Sequence, residues 1–124
     1  MTTKFYKCAI CGNVITKMVD SGVAVVCCGQ KMDELKANTV DASQEKHVPV
    51  VTPLEGGRLR IEVGSVHHPM LPEHHIDFIY VETADGGIRV DLTDQPVAEV
   101  CVGDAQVKAV YEYCNLHGLW KLEL

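Results

Sequence analysis

From residue 48 onward the chain reads as β structure, because apolar residues recur with the two-residue period of half-buried strands. In "RLRIEV" the residues Leu59, Ile61 and Val63 share one face. "IDFIYVETADGGIRVDL" predicts two strands joined by a turn at "ADGG", where Asp and Gly accept left-handed dihedrals. "VAEVCVG", "QVKAVYEYC" and "LWKLEL" supply further short β-rich runs with Gly, Asp or Asn between them. No long 3.6-residue period appears. Short strands at regular spacing favour an all-β sandwich. A helical turn is expected around "KMDELK", and Cys101 in "AEVCVG" reads as a buried strand residue.

The first 36 residues follow a different logic. They hold four cysteines and few large apolar side chains. Chains shorter than ~40 residues rarely fold without a metal, a disulfide or a partner. A polar connector, "KANTVDASQEKH", follows. The organisation expected is a small metal module over residues 1–36 and a β domain over 37–124.

Composition narrows the functions open to this chain. With 124 residues, 47% hydrophobic and 23% charged, it is a globular chain of ordinary domain size. A net charge of -6 argues against nucleic acid, which requires a basic footprint. No apolar run approaches the ~18 residues of a membrane span. "MTTKFYKCAICG" lacks the apolar core of a signal peptide, so a cytoplasmic location is expected. Six cysteines in a reducing compartment point to metal or redox chemistry rather than disulfides.

Two constellations carry that chemistry. Cys8 and Cys11 form a C-x2-C pair, and Cys27 and Cys28 are adjacent. A C-x2-C turn points two sulfurs at one ion, and four thiolates make a tetrahedral site for zinc or a single iron. The adjacent pair should distort that tetrahedron, since two neighbouring residues must both swing to one ion. The second constellation joins histidines to one thiolate. Cys114 and His117 stand three residues apart in "CNLHG", and four of the six histidines lie in "HHPMLPEHH". Pro69 and Pro72 exclude a regular helix there, so those histidines sit on a loop. His47 lies at the start of the β domain. Imidazoles with one thiolate suit zinc, iron or copper. Spacing alone does not select which histidines bind, although His67 and His68 cannot easily face one ion together.

The motifs "CAICGNV", "CCGQKM", "NTVDASQEKHVPV", "GSVHHPM" and "CNLHGLW" together make the sequence similar to the desulfoferrodoxin family, the two-iron superoxide reductases. The resemblance runs along nearly the whole chain. It implies a desulforedoxin-like (rubredoxin-like) iron module bound by Cys8, Cys11, Cys27 and Cys28. It further implies an immunoglobulin-like β-sandwich carrying a second iron, with His47, His68, His74 and His117 in a plane and Cys114 axial. His67 and His75 fall outside the pattern. The family's acid and base beside the open position fall on Glu45 and Lys46. The activity implied is one-electron reduction of superoxide to hydrogen peroxide, with a rubredoxin-type protein returning the electron and a homodimer as the assembly. A non-catalytic electron carrier is the competing reading. It requires a closed second site, so azide or cyanide binding to the oxidised protein separates the two.

Overall fold

The computed structural model describes residues 2–124. The chain divides into a compact unit ending at Lys36 and a second, Ala37–Leu124.

The first unit is built from very short strands: β1 (Phe5–Lys7), β2 (Val14–Thr16), β3 (Val26–Cys27), β4 (Gln30–Lys31) and β5 (Asp33–Glu34). One sheet has the order β2-β1-β5, and β3 pairs with β4. Phe5, Cys8 and Met32 are its buried apolar residues, a small core for a chain of this length. The helical turn expected at "KMDELK" is absent. Lys31 pairs with Val26, and Asp33 and Glu34 pair with Lys7 and Tyr6 of β1. Cross-strand pairing thus overrides a weak local helix preference.

The second unit opens with one helical turn, α1 (Gln44–His47), and continues as β6 (Pro49–Pro53), β7 (Arg58–Val63), β8 (Ile76–Thr83), β9 (Gly86–Asp91), β10 (Val97–Cys101), β11 (Val107–Cys114) and β12 (Gly118–Glu123). Two antiparallel sheets, β10-β7-β6 and β12-β11-β8-β9, form the sandwich. Ile61 and Val63 of β7 and Val100 of β10 meet Ile76, Ile79 and Val81 of β8 and Val110 and Cys114 of β11 in one core. Alternation explains β7, where Ile61 and Val63 are fully buried and Arg58 is exposed. It also corrects the reading of Cys101, which is exposed: Val100 faces the core, so the next residue faces out. The β8–β9 hairpin turns at Ala84–Asp85, with Thr83 paired to Gly86.

Candidate metal centres

In the first unit the C-x2-C pair lies on the turn after β1. Gly12 N–H donates to Cys8 O at 3.0 Å and Cys8 N–H to Asn13 O at 2.9 Å, and Gly12 has φ of 82°. The adjacent cysteines have an equally local explanation. Cys27 pairs with Gln30 across a two-residue turn, and that turn is Cys28 (φ 52°) and Gly29 (φ 75°). Positive φ at both central positions is the type I′ pattern that matches strand twist. The turn brings both sulfurs to the side of the C-x2-C knuckle, and the ligand atoms of Cys8, Cys11, Cys27 and Cys28 all lie within 4.8 Å of one another. Backbone N–H groups of Cys11 and Ile10 lower the Cys8 thiol to about 6. The sulfurs of Cys11 and Cys8 beside Cys28 push its thiol up to about 12. Four sulfurs this close cannot all ionise alone, and a cation among them removes the conflict.

In the second unit α1 carries Glu45, Lys46 and His47. His47 is buried at 2% exposure, whereas Glu45 and Lys46 face solvent. The turn between β7 and β8 carries His68 and His74, Cys114 ends β11, and His117 lies in the β11–β12 connection. The four imidazoles close a ring. Centroids are 4.7 Å apart for His47–His68, 4.5 Å for His68–His74, 5.0 Å for His74–His117 and 4.9 Å for His117–His47. The Cys114 sulfur lies 3.4 Å from His68 Nε2 and 3.9 Å from His117 Nδ1. His47, His68, Cys114 and His117 bring their ligand atoms within 4.8 Å of one another, and His74 joins through its contacts with His68 and His117.

The surroundings decide which atom each ring offers. His68 Nδ1 lies 2.7 Å from Pro69 O, which leaves Nε2 for the centre. The Nε2 of His74 is buried with no hydrogen-bond partner among the described residues. His47 stacks on Trp120 at 4.8 Å with a 12° interplanar angle, and its Nδ1 lies 3.5 Å from Glu112 Oε2. Burial, then the neighbouring His68, His117 and His74, lower His47 to about 4, so the ring is a neutral donor at pH 7. Burial alone pushes Glu112 up to about 9. Its carboxyl is fully buried, and neither oxygen is hydrogen-bonded among the described residues. Cys114 is also fully buried, which raises its thiol, while the backbone N–H groups of His117 and Leu116 act in the opposite direction. Orphaned imidazole nitrogen, a buried carboxyl and a buried thiol with no cation are costly together. One cation bound by the rings and the sulfur makes them consistent.

The remaining histidines point elsewhere. His67 is exposed and reaches Glu62 at 3.6 Å. His75 bridges Leu71 O at 2.8 Å and the Asp77 carboxylate at 2.9 Å. Reading motifs missed Glu112 and Trp120. A signal for Glu112 existed: the two-residue period of β11 puts it on the face of Val110 and Cys114.

A β-sandwich that holds four imidazoles in a ring beside a buried thiol, together with a module of four clustered cysteines, defines a protein with two mononuclear metal centres. The family model described as Desulfoferrodoxin matches residues 39–123, and that described as Desulfoferrodoxin, N-terminal domain, matches residues 1–35. The chain belongs to the desulfoferrodoxin family. It is 42% identical over 121 residues to a desulfoferrodoxin homolog of Methanothermobacter thermautotrophicus, covering 96% of this chain and 97% of the relative. It is 42% identical over 123 residues to a desulfoferrodoxin of Nitratidesulfovibrio vulgaris, covering 97% and 95%. The crystal structure of the superoxide reductase from Treponema pallidum superposes with a TM-score of 0.82 at 32% identity, covering 99% of this chain and all of that one.

Proposed function

We propose that the second centre is a superoxide reductase site. The observation that carries this is the closed ring of four imidazoles with the single Cys114 sulfur beside it. When bound, ferrous iron supplies one electron, which with two protons converts superoxide to hydrogen peroxide and leaves the metal ferric.

The chain's own groups then have distinct tasks. Cys114 would supply the sulfur donor to the metal. His117 N–H donates to its sulfur at 3.4 Å, which holds the thiolate in place and moderates its donation. Imidazoles that bind a metal do so in the neutral form, so His47, His68, His74 and His117 with one thiolate would leave a divalent site net positive charge, which draws a small anion. Lys46 steers that anion. It is exposed on the turn that carries His47, and its charge acts on His47, His68 and His74. In a chain of net charge -6, a positive group focused at the site outweighs the overall charge. Glu45, next to Lys46 on the same exposed turn, would order water beside the centre.

A rubredoxin-type protein restores the ferrous state in this reading. Cys11 and Cys28 are exposed, so the first centre lies near the surface where electrons enter. A second copy of the chain completes a homodimer, consistent with the exposed Ile10, Met18, Val19, Val23 and Val26 of the first unit. A cytoplasmic setting for superoxide detoxification fits six free cysteines. Among the described residues no helix is long and apolar enough to cross a membrane.

Lys46→Ile tests the steering role. The second-order rate with superoxide is expected to fall about tenfold at low salt, and its ionic-strength dependence to flatten. An unchanged rate and salt slope would remove Lys46 from the mechanism.

A further inference from the structure

Two chain segments meet beside His74, and one side chain joins them. Asn115 follows Cys114 in the β11–β12 connection. Its Oδ1 accepts from His75 N–H at 2.8 Å, and its Nδ2–H donates to Glu73 O at 3.0 Å. Its backbone N–H donates to His75 O at 3.1 Å. The two ends of one amide therefore grip the residues on either side of His74, while the same residue's backbone is continuous with the Cys114 donor.

His74 has little else to fix it across that gap. Its backbone exchanges hydrogen bonds with Leu71, N–H to Leu71 O at 3.1 Å and O from Leu71 N–H at 2.9 Å, but these stay within its own turn. Its ring Nε2 has no hydrogen-bond partner among the described residues, whereas His68 is locked through Nδ1 to Pro69 O. It is also the one ring of the four whose ligand atom falls outside the 4.8 Å group formed by His47, His68, Cys114 and His117. A ring held this way takes its position from its backbone, and its backbone takes its position relative to the sulfur from Asn115.

We infer that Asn115 is a positioning residue for the second centre: it sets the distance and angle of His74 relative to Cys114, and so how firmly His74 would hold the metal. The neighbouring His75 shares this task, since its ring ties the start of the same turn, Leu71, to Asp77 at the head of β8. Asparagine suits the position for a chemical reason. Only an amide offers one acceptor and one donor at the two ends needed; a carboxylate loses the donor and sets an oxygen against Glu73 O. This inference rests on the four-imidazole reading of the centre.

A double-mutant cycle tests it, using native full-length protein loaded with iron. The readouts are the rate at which ferrous iron leaves the second centre for a chelator, and the position of the ferric thiolate band. Asn115→Ala is expected to speed iron loss roughly tenfold or more, the usual effect of removing an outer partner of a ligand, and to shift the band. Asn115→Asp, which keeps the acceptor for His75 N–H, is expected to fall between the native protein and the alanine variant. His74→Ala should itself speed iron loss, and adding Asn115→Ala to it should change the rate by less than about twofold. Iron loss and band unchanged by Asn115→Ala would overturn the inference. So would a full tenfold effect persisting without His74, because Asn115 would then act through Cys114 or the fold at large. A native-like His74→Ala protein would instead overturn the ligand set, and the inference with it.

Discussion

Cys114→Ser is expected to abolish the visible thiolate-to-ferric band of the second centre while the first centre keeps its spectrum. Superoxide reduction should fall by more than the about ten- to hundredfold that loss of an outer partner costs, because a ligand itself is removed. The reason lies in the donor. A buried sulfur, supported by N–H groups from Leu116 and His117, ionises on binding the cation and gives electron density to the iron. A serine hydroxyl in the same buried place ionises far less readily and donates less. Optical titration of the oxidised variant, with metal analysis to confirm iron in both centres, checks the result. A surviving band means the sulfur is not a ligand of the centre.

The second large effect is expected at a residue that bears no ligand. Gly64 sits where the end of β7 passes beneath α1. A methyl group added there would lie 2.5 Å from Glu45 O, 3.0 Å from the Lys46 carbonyl carbon and 3.0 Å from Val48 O. All three are backbone atoms, so no side chain can turn aside. The segment after Gly64 also holds α1: Val66 N–H and the Ser65 hydroxyl both donate to Glu45 O, at 3.0 and 3.2 Å. Gly64→Ala must therefore push α1 outward and carry Glu45, Lys46 and His47 with it. We expect a loss of roughly 1–3 kcal/mol in stability, the usual cost of overpacking. We also expect a deficit of iron confined to the second centre. Denaturant unfolding and centre-resolved metal content check this. Native stability with full loading would show that α1 is not held against Gly64.

These two residues differ in how far the amino-acid sequence reveals them. Cys114 was legible because sulfur and imidazole three residues apart have few other uses, and because further histidines and cysteines accompany them. The β-sandwich was legible from two-residue alternation in runs such as "RLRIEV". Gly64 was not, because what it excludes is the backbone of residues 45–48, an approach that only the folded chain creates. Asn115 was hidden for the same reason, because its partner His75 lies 40 residues away; the period of β11 marked Glu112 as inward-facing but not its partner His47, 65 residues away. The strands of the first unit are two or three residues long, too short for a period to register. Where local pattern did mislead, as at "KMDELK" and Cys101, pairing with a distant strand and the outward face at a strand end decided the outcome.

The account turns on an electron passing from the second centre to superoxide. A measured pulse of superoxide delivered to the fully reduced protein, with iron content known and optical absorption, hydrogen peroxide and oxygen all followed, tests it most directly. One second centre should be oxidised for each superoxide consumed, its thiolate band should appear, and hydrogen peroxide should form without oxygen. Oxygen release with no net oxidation of the protein, or superoxide decaying at its unassisted rate with the spectrum unchanged, would contradict it.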